Sequence, residues 1–240
     1  MTATVLQLSD THLRSEPHSL VNGVDPDARL ETVLAAWGRT AEHADLVVLT
    51  GDNADDASTA AYERLNLAVS ALGSPVLALS GNHDDPRLLA EVFGPKSSAV
   101  LGSWHLVAFD TSRPNQIHGT LDVGAAMDRL DALDERPTII AMHHPPRSRS
   151  THAWFQLEES DELLAGLAAR PHVRAVISGH LHDAFAFAQS DRLTLLGCPS
   201  TLLAIAHEGQ QMEIGADAST GARVLRLEDD GTLSSTLLVA

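Results

Sequence analysis

Five apolar runs, each closing on aspartate, asparagine or histidine, limit what this chain can become. They are ATVLQLSDTH (3–12), DLVVLTGDNAD (45–55), VLALSGNHD (76–84), TIIAMHHPP (138–146) and VRAVISGHLH (173–182). Short runs of Val, Ile, Leu and Ala fit strands covered on both faces, as in largely parallel sheets flanked by helices. Ligands in open α/β sheets bind beyond the carboxyl ends of such strands. The polar ends of the five runs are therefore expected to meet in one place.

Between the runs the chain reads as helices. One is predicted over 27–42, behind Asp25 as cap and Pro26 as first helical residue, with Leu30, Val33, Leu34 and Trp37 at helical spacing. Others are predicted over 60–72, with Gly73 as the stop signal, over 86–93, from Asp122 to about Leu133, and over 157–169. Residues 100–110 look like strand broken at Gly102. The tail reads as antiparallel strands over 185–189, 193–197, 201–206 and 223–227. Asp229, Asp230 and Gly231 make a hairpin turn before a last strand over 232–239. No linker, internal repeat or low-complexity stretch divides the chain, so residues 1–240 are expected to form a single domain.

Composition excludes several classes. Hydrophobic residues make up 44% of the 240, too many for a disordered chain. A formal net charge of −16 has the wrong sign for a nucleic-acid partner. Glu158, Glu159, Asp161 and Glu162 read as solvated surface, and handling phosphate on such a chain calls for local cations. No apolar run approaches the ~20 residues of a membrane-spanning helix, and the N-terminus has no signal-peptide pattern. The single cysteine, Cys198, excludes an intrachain disulfide and fits a reducing compartment. A soluble, cytoplasmic protein with no membrane partner is expected.

The candidate metal ligands are Asp10, His12, Asp52, Asn82, His143, His180 and His182. Asp10 and His12, like His180 and His182, stand two apart, and in extended chain such residues point the same way. Asp52 follows Gly51, which permits a tight turn, and is the candidate for a carboxylate shared by two ions. Each motif alone is ordinary turn chemistry. Together they supply four imidazoles, two carboxylates and an amide without a thiolate, a set that suits Fe, Mn, Zn or Co better than Ca or Mg. Seven donors are too many for one tetrahedral ion and serve two. Two ions ~3.5–4 Å apart clamp an in-line displacement at phosphorus and bring the pKa of a water between them to about 7. His83 is not needed as a ligand and is placed to protonate the departing alkoxide. Asp55 would fix its tautomer.

Arg147 and Arg149 read as offsets for nearby acids rather than phosphate contacts. Trp154 and Phe155 read as core, or as packing at a helix start, rather than as substrate stackers. The loop 111–120 reads equally as an overhang of the site and as plain surface. His18, His43, His105, His118, His152, His172 and His207 are read as surface or packing residues.

Taken in order, Asp-x-His (Asp10, His12), Gly-Asp-x-x-Asp (Gly51, Asp52, Asp55), Gly-Asn-His-Asp (81–84), a strand-terminal His143 and Gly-His-x-His (Gly179, His180, His182) resemble the calcineurin-like metallophosphoesterase family over about residues 3–183. The resemblance implies an α/β fold, a four-layer α/β/β/α sandwich with two mixed central sheets. It implies that Asp10, His12, Asp52 and His182 hold one metal, and that Asp52, Asn82, His143 and His180 hold the other. Iron and manganese are the implied pair, with zinc or cobalt as alternatives. It gives His83 the proton-donor role and Asp55 the orienting role, and leaves His144 outside the ligand set.

Within that family SDTHL (9–13), NGVDPDARLETVL (22–34), MHHPP (142–146), CPST (198–201) and DDG (229–231) are most similar to bacterial class III cyclic nucleotide phosphodiesterases. The implied reaction is hydrolysis of a small-molecule phosphoester, a 3′,5′-cyclic nucleotide such as cAMP, by in-line attack of a metal-bridging hydroxide. A 2′,3′-cyclic nucleotide, a glycerophosphodiester or a monoester are the alternatives within the same chemistry. A non-catalytic metal-binding scaffold is the alternative outside it, although a scaffold has no use for His83. Several relatives extend beyond the β-rich tail, whereas this chain stops at Ala240, which leaves a possible homodimer open.

Overall fold

A computed structural model describes residues 2–215 and 220–240. In chain order the strands are β1 (Ala3–Leu8), β2 (Leu46–Thr50), β3 (Val76–Leu79), β4 (Ser98–Leu101), β5 (Trp104–Ala108), β6 (Thr138–Ala141), β7 (Val173–Ser178), β8 (Phe185–Ala188), β9 (Thr194–Gly197), β10 (Ile205–Glu208), β11 (Gln211–Ile214), β12 (Gly221–Leu227) and β13 (Leu233–Val239). The helices are α1 (Pro26–Arg39), α2 (Thr59–Ser70), α3 (Pro86–Phe93), α4 (Val123–Asp131) and α5 (Ser160–Ala168), with a 3₁₀ turn at Ala153–Phe155.

Two mixed sheets result. One has the order β13-β12-β1-β2-β3 and the other β4-β5-β6-β7-β9-β8, while β10 and β11 form a separate hairpin. β1, β2 and β3 run parallel, as do β5, β6, β7 and β9. Alternation within the strands builds the layers. Leu46 and Val48 of β2 meet Ile139 and Ala141 of β6 and Ala175 and Ile177 of β7 between the sheets. Val47 and Leu49 face the other way, onto Leu30 and Val33 of α1 and Tyr62 and Leu65 of α2. Ile140 and Val176 face Leu130 of α4 and Leu163 and Leu167 of α5. The architecture is α/β/β/α, as the motif resemblance implies.

Local signals explain the helix limits. Asp25 accepts from Ala28 N–H at 3.1 Å, and Pro26 opens α1. α1 ends at Arg39, three residues short of the expected 42, because Thr40 N–H and its hydroxyl both turn back onto Trp37 O and Ala41 takes a φ of 57°. α3 has the expected bounds, capped by Asp85. α5 begins at Ser160 rather than 157, since the chain before it pairs with the loop: Gly119 N–H bonds Gln156 O and Glu158 N–H bonds Gly119 O.

The tail differs from expectation in three places. β9 runs parallel to β7 rather than joining an antiparallel meander. The strand expected over 201–206 starts only at Ile205, because Ser200 Oγ accepts from Leu202 and Leu203 N–H and turns the chain there. The strand β11 is additional. It answers β10 across Gly209, whose φ is 60°.

Buried polar groups tie the sheets together. Gln7 of β1 donates through Nε2 to Thr50 Oγ1 of β2 and to Ser178 O of β7, both at 3.1 Å. Arg223 of β12, only 4% exposed, donates to Gly197 O and Phe185 O of the other sheet. It needs no carboxylate, because carbonyls and the Ser235 hydroxyl take its donors.

Candidate metal centre

The parallel strands deliver their carboxyl ends to one side of the sandwich. Asp10 follows β1, Asp52 follows β2, Asn82 follows β3, His143 follows β6, and His180 and His182 follow β7. The structure brings all seven candidate ligands together, and Asp10, His12, Asp52, His143, His180 and His182 are buried. The extended i, i+2 geometry expected from sequence does not hold. Asp10, His12, Asp52, His180 and His182 all have positive φ, between 47° and 68°. They are half of the ten described non-glycine residues with that backbone. The ends of β1, β2 and β7 are thus tight left-handed turns, in a conformation that costs roughly 1 kcal/mol or more per residue and clusters at functional sites.

Glycine makes the crowding possible at two points. Gly51 has a φ of 96°, and a Cβ there would run into the His143 ring. A Cβ on Gly179 would meet Ser9 Oγ and Asp10 Oδ2. Other polar groups hold the turns. Ser200 Oγ donates to Asp10 O at 2.8 Å. Asp84 accepts from Gly81 N–H, Asn53 N–H, Ala54 N–H, Asn53 Nδ2 and the Tyr62 hydroxyl, at 2.9–3.1 Å. It ties the turn carrying Asn82 to the turn carrying Asp52.

The histidine tautomers follow from their partners. His143 Nδ1 donates to Thr50 O at 2.8 Å and His182 Nδ1 to Leu203 O at 2.9 Å, which leaves each Nε2 as a lone pair. His180 does the reverse: Nε2 donates to Trp154 O at 2.8 Å, leaving Nδ1. Ligating atoms of the other six candidates converge in two groups, and the His180 ring packs on that of His143 at 4.9 Å between centroids. His182 Nε2 lies 3.2 Å from His12 Nε2 and 3.4 Å from Asp10 Oδ1. His143 Nε2 lies 3.2 Å from Asn82 Oδ1 and 3.4 Å from Asp52 Oδ1. Asp52 also reaches the first group, with Oδ2 3.7 Å from His12 Nε2. Such spacings fit the edges of a coordination polyhedron with ligand bonds of about 2.0–2.2 Å. Lone pairs facing lone pairs need a cation between them, so the residues present fit a pair of metal ions.

Without a cation, a proton takes its place at one of these atoms. Burial would raise Asp52, but His143 and His12 beside it hold its carboxyl well below the usual range. Burial works to lower His143, yet the charge of Asp52 raises it to about 9. His182 drops to about 4 and His180 well below the ordinary histidine value, both chiefly through burial. His144, pushed down to about 3 mainly by burial, has both ring nitrogens engaged, with Thr111 Oγ1 at 2.8 Å and Ile117 O at 2.9 Å. It has no lone pair to offer an ion.

His83 stands at the rim, its side chain 41% exposed and its ring edge-on to His12 at 4.8 Å between centroids. Its backbone N–H donates to Asp52 Oδ1 at 2.9 Å. Its Nδ1 lies 3.3 Å from Asp55 O and 3.7 Å from Asp55 Oδ1. The rim opens into a cleft of ≈ 700 Å³, counting space continuous with solvent, that also includes Asn22, Ile117, Trp154 and Met212. Ile117 brings the loop 111–120 over the site. Trp154 corrects the reading from sequence: it lines this cleft and is 44% exposed, while Phe155 is core, as read. Arg147 and Arg149 pair with Gln189 and Asp183 and do not line the cleft.

The model of the calcineurin-like phosphoesterase family matches residues 3–184. The chain belongs to that family. It is a metallophosphoesterase, and its family works with two divalent metal ions. It is 35% identical to a probable cyclic nucleotide phosphodiesterase of Synechococcus, covering 99% of this chain and 92% of that one. It is 30% identical to the 3′,5′-cyclic adenosine monophosphate phosphodiesterase CpdA of Escherichia coli K12, covering 96% and 87%. The crystal structure of a dimetal phosphatase from Danio rerio superposes with a TM-score of 0.74 at 14% identity, over 98% of this chain and 95% of that one, and shares the fold. Among the described residues no helix is long and apolar enough to cross a membrane.

Sequence reading missed the supports: Asp84, Ser200 and the carbonyls of Thr50, Trp154 and Leu203. Asp84 and Ser200 lay inside quoted motifs and so carried a signal. The backbone carbonyls carried none.

Proposed function

We propose that this metallophosphoesterase hydrolyses 3′,5′-cyclic nucleotides, opening one ring ester to leave a nucleoside monophosphate. One observation carries the reading: a converging set of seven donors shares a cleft with a half-exposed histidine that no ligand position requires. The names of two relatives similar over nearly their full length supply the substrate class. We take residues 1–240 as one domain and the cytoplasm as its setting, in line with the single cysteine.

Asp10, His12, Asp52 and His182 would hold one ion, and Asp52, Asn82, His143 and His180 the other; iron with manganese is the proposed pair. When bound, the ions would polarise the phosphoryl oxygens and activate the attacking water. The chain's own groups do the rest. The Thr50, Leu203 and Trp154 carbonyls fix three imidazoles in ligating orientation. His83, held through its backbone N–H by Asp52 Oδ1, faces the cleft and passes a proton to the departing alkoxide oxygen. The Asp55 carbonyl, 3.3 Å away, keeps Nδ1 of His83 as the donor side, with the Asp55 carboxylate behind it at 3.7 Å, so that Nε2 is the atom that gives up the proton.

The test is a panel of esters assayed with the manganese-reconstituted protein: 3′,5′- and 2′,3′-cyclic nucleotides, glycerophosphodiesters and simple monoesters. The highest kcat/KM is expected for a 3′,5′-cyclic nucleotide. Preference for another ester moves the substrate within the same chemistry. Two bound ions with no hydrolysis of any ester would make the protein a scaffold.

A further inference from the structure

The cleft has two unlike walls. One carries the ligands and His83. The other is apolar and is built by Trp154 and Phe155 of the 3₁₀ turn, Leu203, and Ile205, Met212 and Ile214 of the β10–β11 hairpin. Trp154 is 44% exposed and Ile214 48%, whereas the two other tryptophans, Trp37 and Trp104, are buried at 4% and 1%. An exposed indole that shares a cleft with Met212 and Ile214, beside the candidate metal centre, makes an apolar patch of the kind that marks a ligand-binding groove.

A phosphate and a ribose do not match that wall, because both are hydroxylated or charged. A flat heteroaromatic base does, since base–aromatic stacking needs only a π-face. The indole is also placed with precision. His180 donates to the Trp154 carbonyl at 2.8 Å, so the turn that presents the ring is fastened to a candidate ligand. His152 braces it, its ring 5.0 Å from Trp154 edge to face and itself packed on Phe155 at 6.1 Å. Among the described residues the aliphatic part of this wall offers no side-chain donor or acceptor, and the cleft's two amides, Asn22 and Asn82, stand on other segments, Asn82 among the candidate ligands. Telling adenine from guanine requires polar groups on the base edge. This wall reads faces.

Resting on the cyclic-nucleotide reading, we propose that Trp154, flanked by Met212 and Ile214, is the platform on which the substrate's nucleobase stacks, and that it takes adenine and guanine alike. Trp154 is then a specificity-determining residue for nucleotides as a class rather than for one purine.

The experiment compares wild type, Trp154→Phe and Trp154→Ala, each reconstituted with manganese, on cAMP, cGMP and a base-free ribose 3′,5′-cyclic phosphate. It also follows tryptophan fluorescence during titration with 5′-AMP and 5′-GMP. In Trp154→Ala, KM for both nucleotides should rise roughly tenfold to a hundredfold, with kcat and the base-free substrate little changed. Trp154→Phe should keep the nucleotide KM values. Both mononucleotides should quench wild-type fluorescence at similar concentrations, and the quenching should vanish in Trp154→Phe, since Trp37 and Trp104 are buried. Unchanged nucleotide KM in Trp154→Ala, or an equal loss on the base-free substrate, overturns the platform. So does a Trp154-dependent change in oligomeric state in place of a KM effect, which would assign the wall to a second copy. A preference above tenfold for one purine overturns the tolerance. If wild type cleaves only other esters, the cyclic-nucleotide reading fails; Trp154-dependent quenching would still support a base platform, and its absence would end both.

Discussion

The carboxylate of Asp55 lies closer to His12 than to His83: Oδ1 is 3.4 Å from His12 Nδ1 and 3.7 Å from His83 Nδ1. One side chain therefore borders both a candidate ligand and the candidate proton donor. Burial works to lower His12, but Asp55 and then Asp52 and Asp10 raise it overall. Asp55→Asn should weaken metal binding roughly ten- to a hundredfold, as loss of a ligand-orienting carboxylate does. Chelator competition reads this directly. Full metal affinity with lost turnover would confine Asp55 to the support of His83.

His83→Ala should keep both ions and lose about 10²–10⁴ in kcat on substrates with poor leaving groups. A nitrophenyl diester, whose leaving group needs little protonation, should lose far less. Metal analysis beside a comparison of alkyl and aryl esters settles the matter. Equal losses on the two esters would remove the proton-donor role.

Asp84→Ala should be the most damaging change outside the ligands. It strands three backbone N–H groups, the Asn53 amide and the Tyr62 hydroxyl, whose own pKa is raised by burial and by Asp84. Each stranded buried donor costs on the order of 1–3 kcal/mol. A loss of about 3 kcal/mol or more is expected in denaturant unfolding, together with a drop in metal affinity. Tyr62→Phe removes one hydroxyl and should cost about 1 kcal/mol. Near-equal effects of the two variants would show that the Asp84 network does not tie the turns.

The metal-free protein should be most stable near the ordinary histidine pKa of 6.5. His143 sits at about 9 when folded, so its contribution is complete below 6.5 and fades as pH rises through about 9. His182 sits at about 4, so below 6.5 the unfolded chain takes a proton that the folded one refuses, and stability falls toward about 4. Ligation requires neutral imidazole, so loading manganese near neutral pH should release protons and tighten as pH rises. Melting curves against pH for both forms, with calorimetry in buffers of different ionisation heat, provide the check. An apoprotein whose stability does not decline above neutral pH would contradict the Asp52–His143 pairing.

Much of this was legible because the same signal occurs at several strand ends. A buried parallel strand shows as an apolar run, and the polar residue just past it marks where strand carboxyl ends gather; that placed Asp10, Asp52, Asn82, His143 and His180 together. What was illegible has a physical reason in each case. Asp10 and His12 were read as extended, but local spacing does not reveal a left-handed turn held from afar by Ser200 and by hydrogen bonds to the Gly51 and Asp52 carbonyls at the end of the neighbouring strand. The strand β11 was missed because it is only 4 residues long and mostly exposed, with Gln211 and Glu213 alternating with Met212 and Ile214. Trp154 was read as core, or as packing at a helix start, on residue type alone. Only the fold shows that its neighbour Phe155 fills the interior and leaves the indole outside.

The bridge from Gln7 to Thr50 and Ser178 has a mechanical corollary. Asp10, Asp52 and Asn82 ride on one half of the sandwich, and His143, His180 and His182 on the other, so any slippage of the halves opens the cage itself. Bound ions would then act as rivets through the whole molecule. Stripping them should loosen amide hydrogen exchange along β1, β2, β6 and β7 to their far ends, well away from the turns that grip the cations.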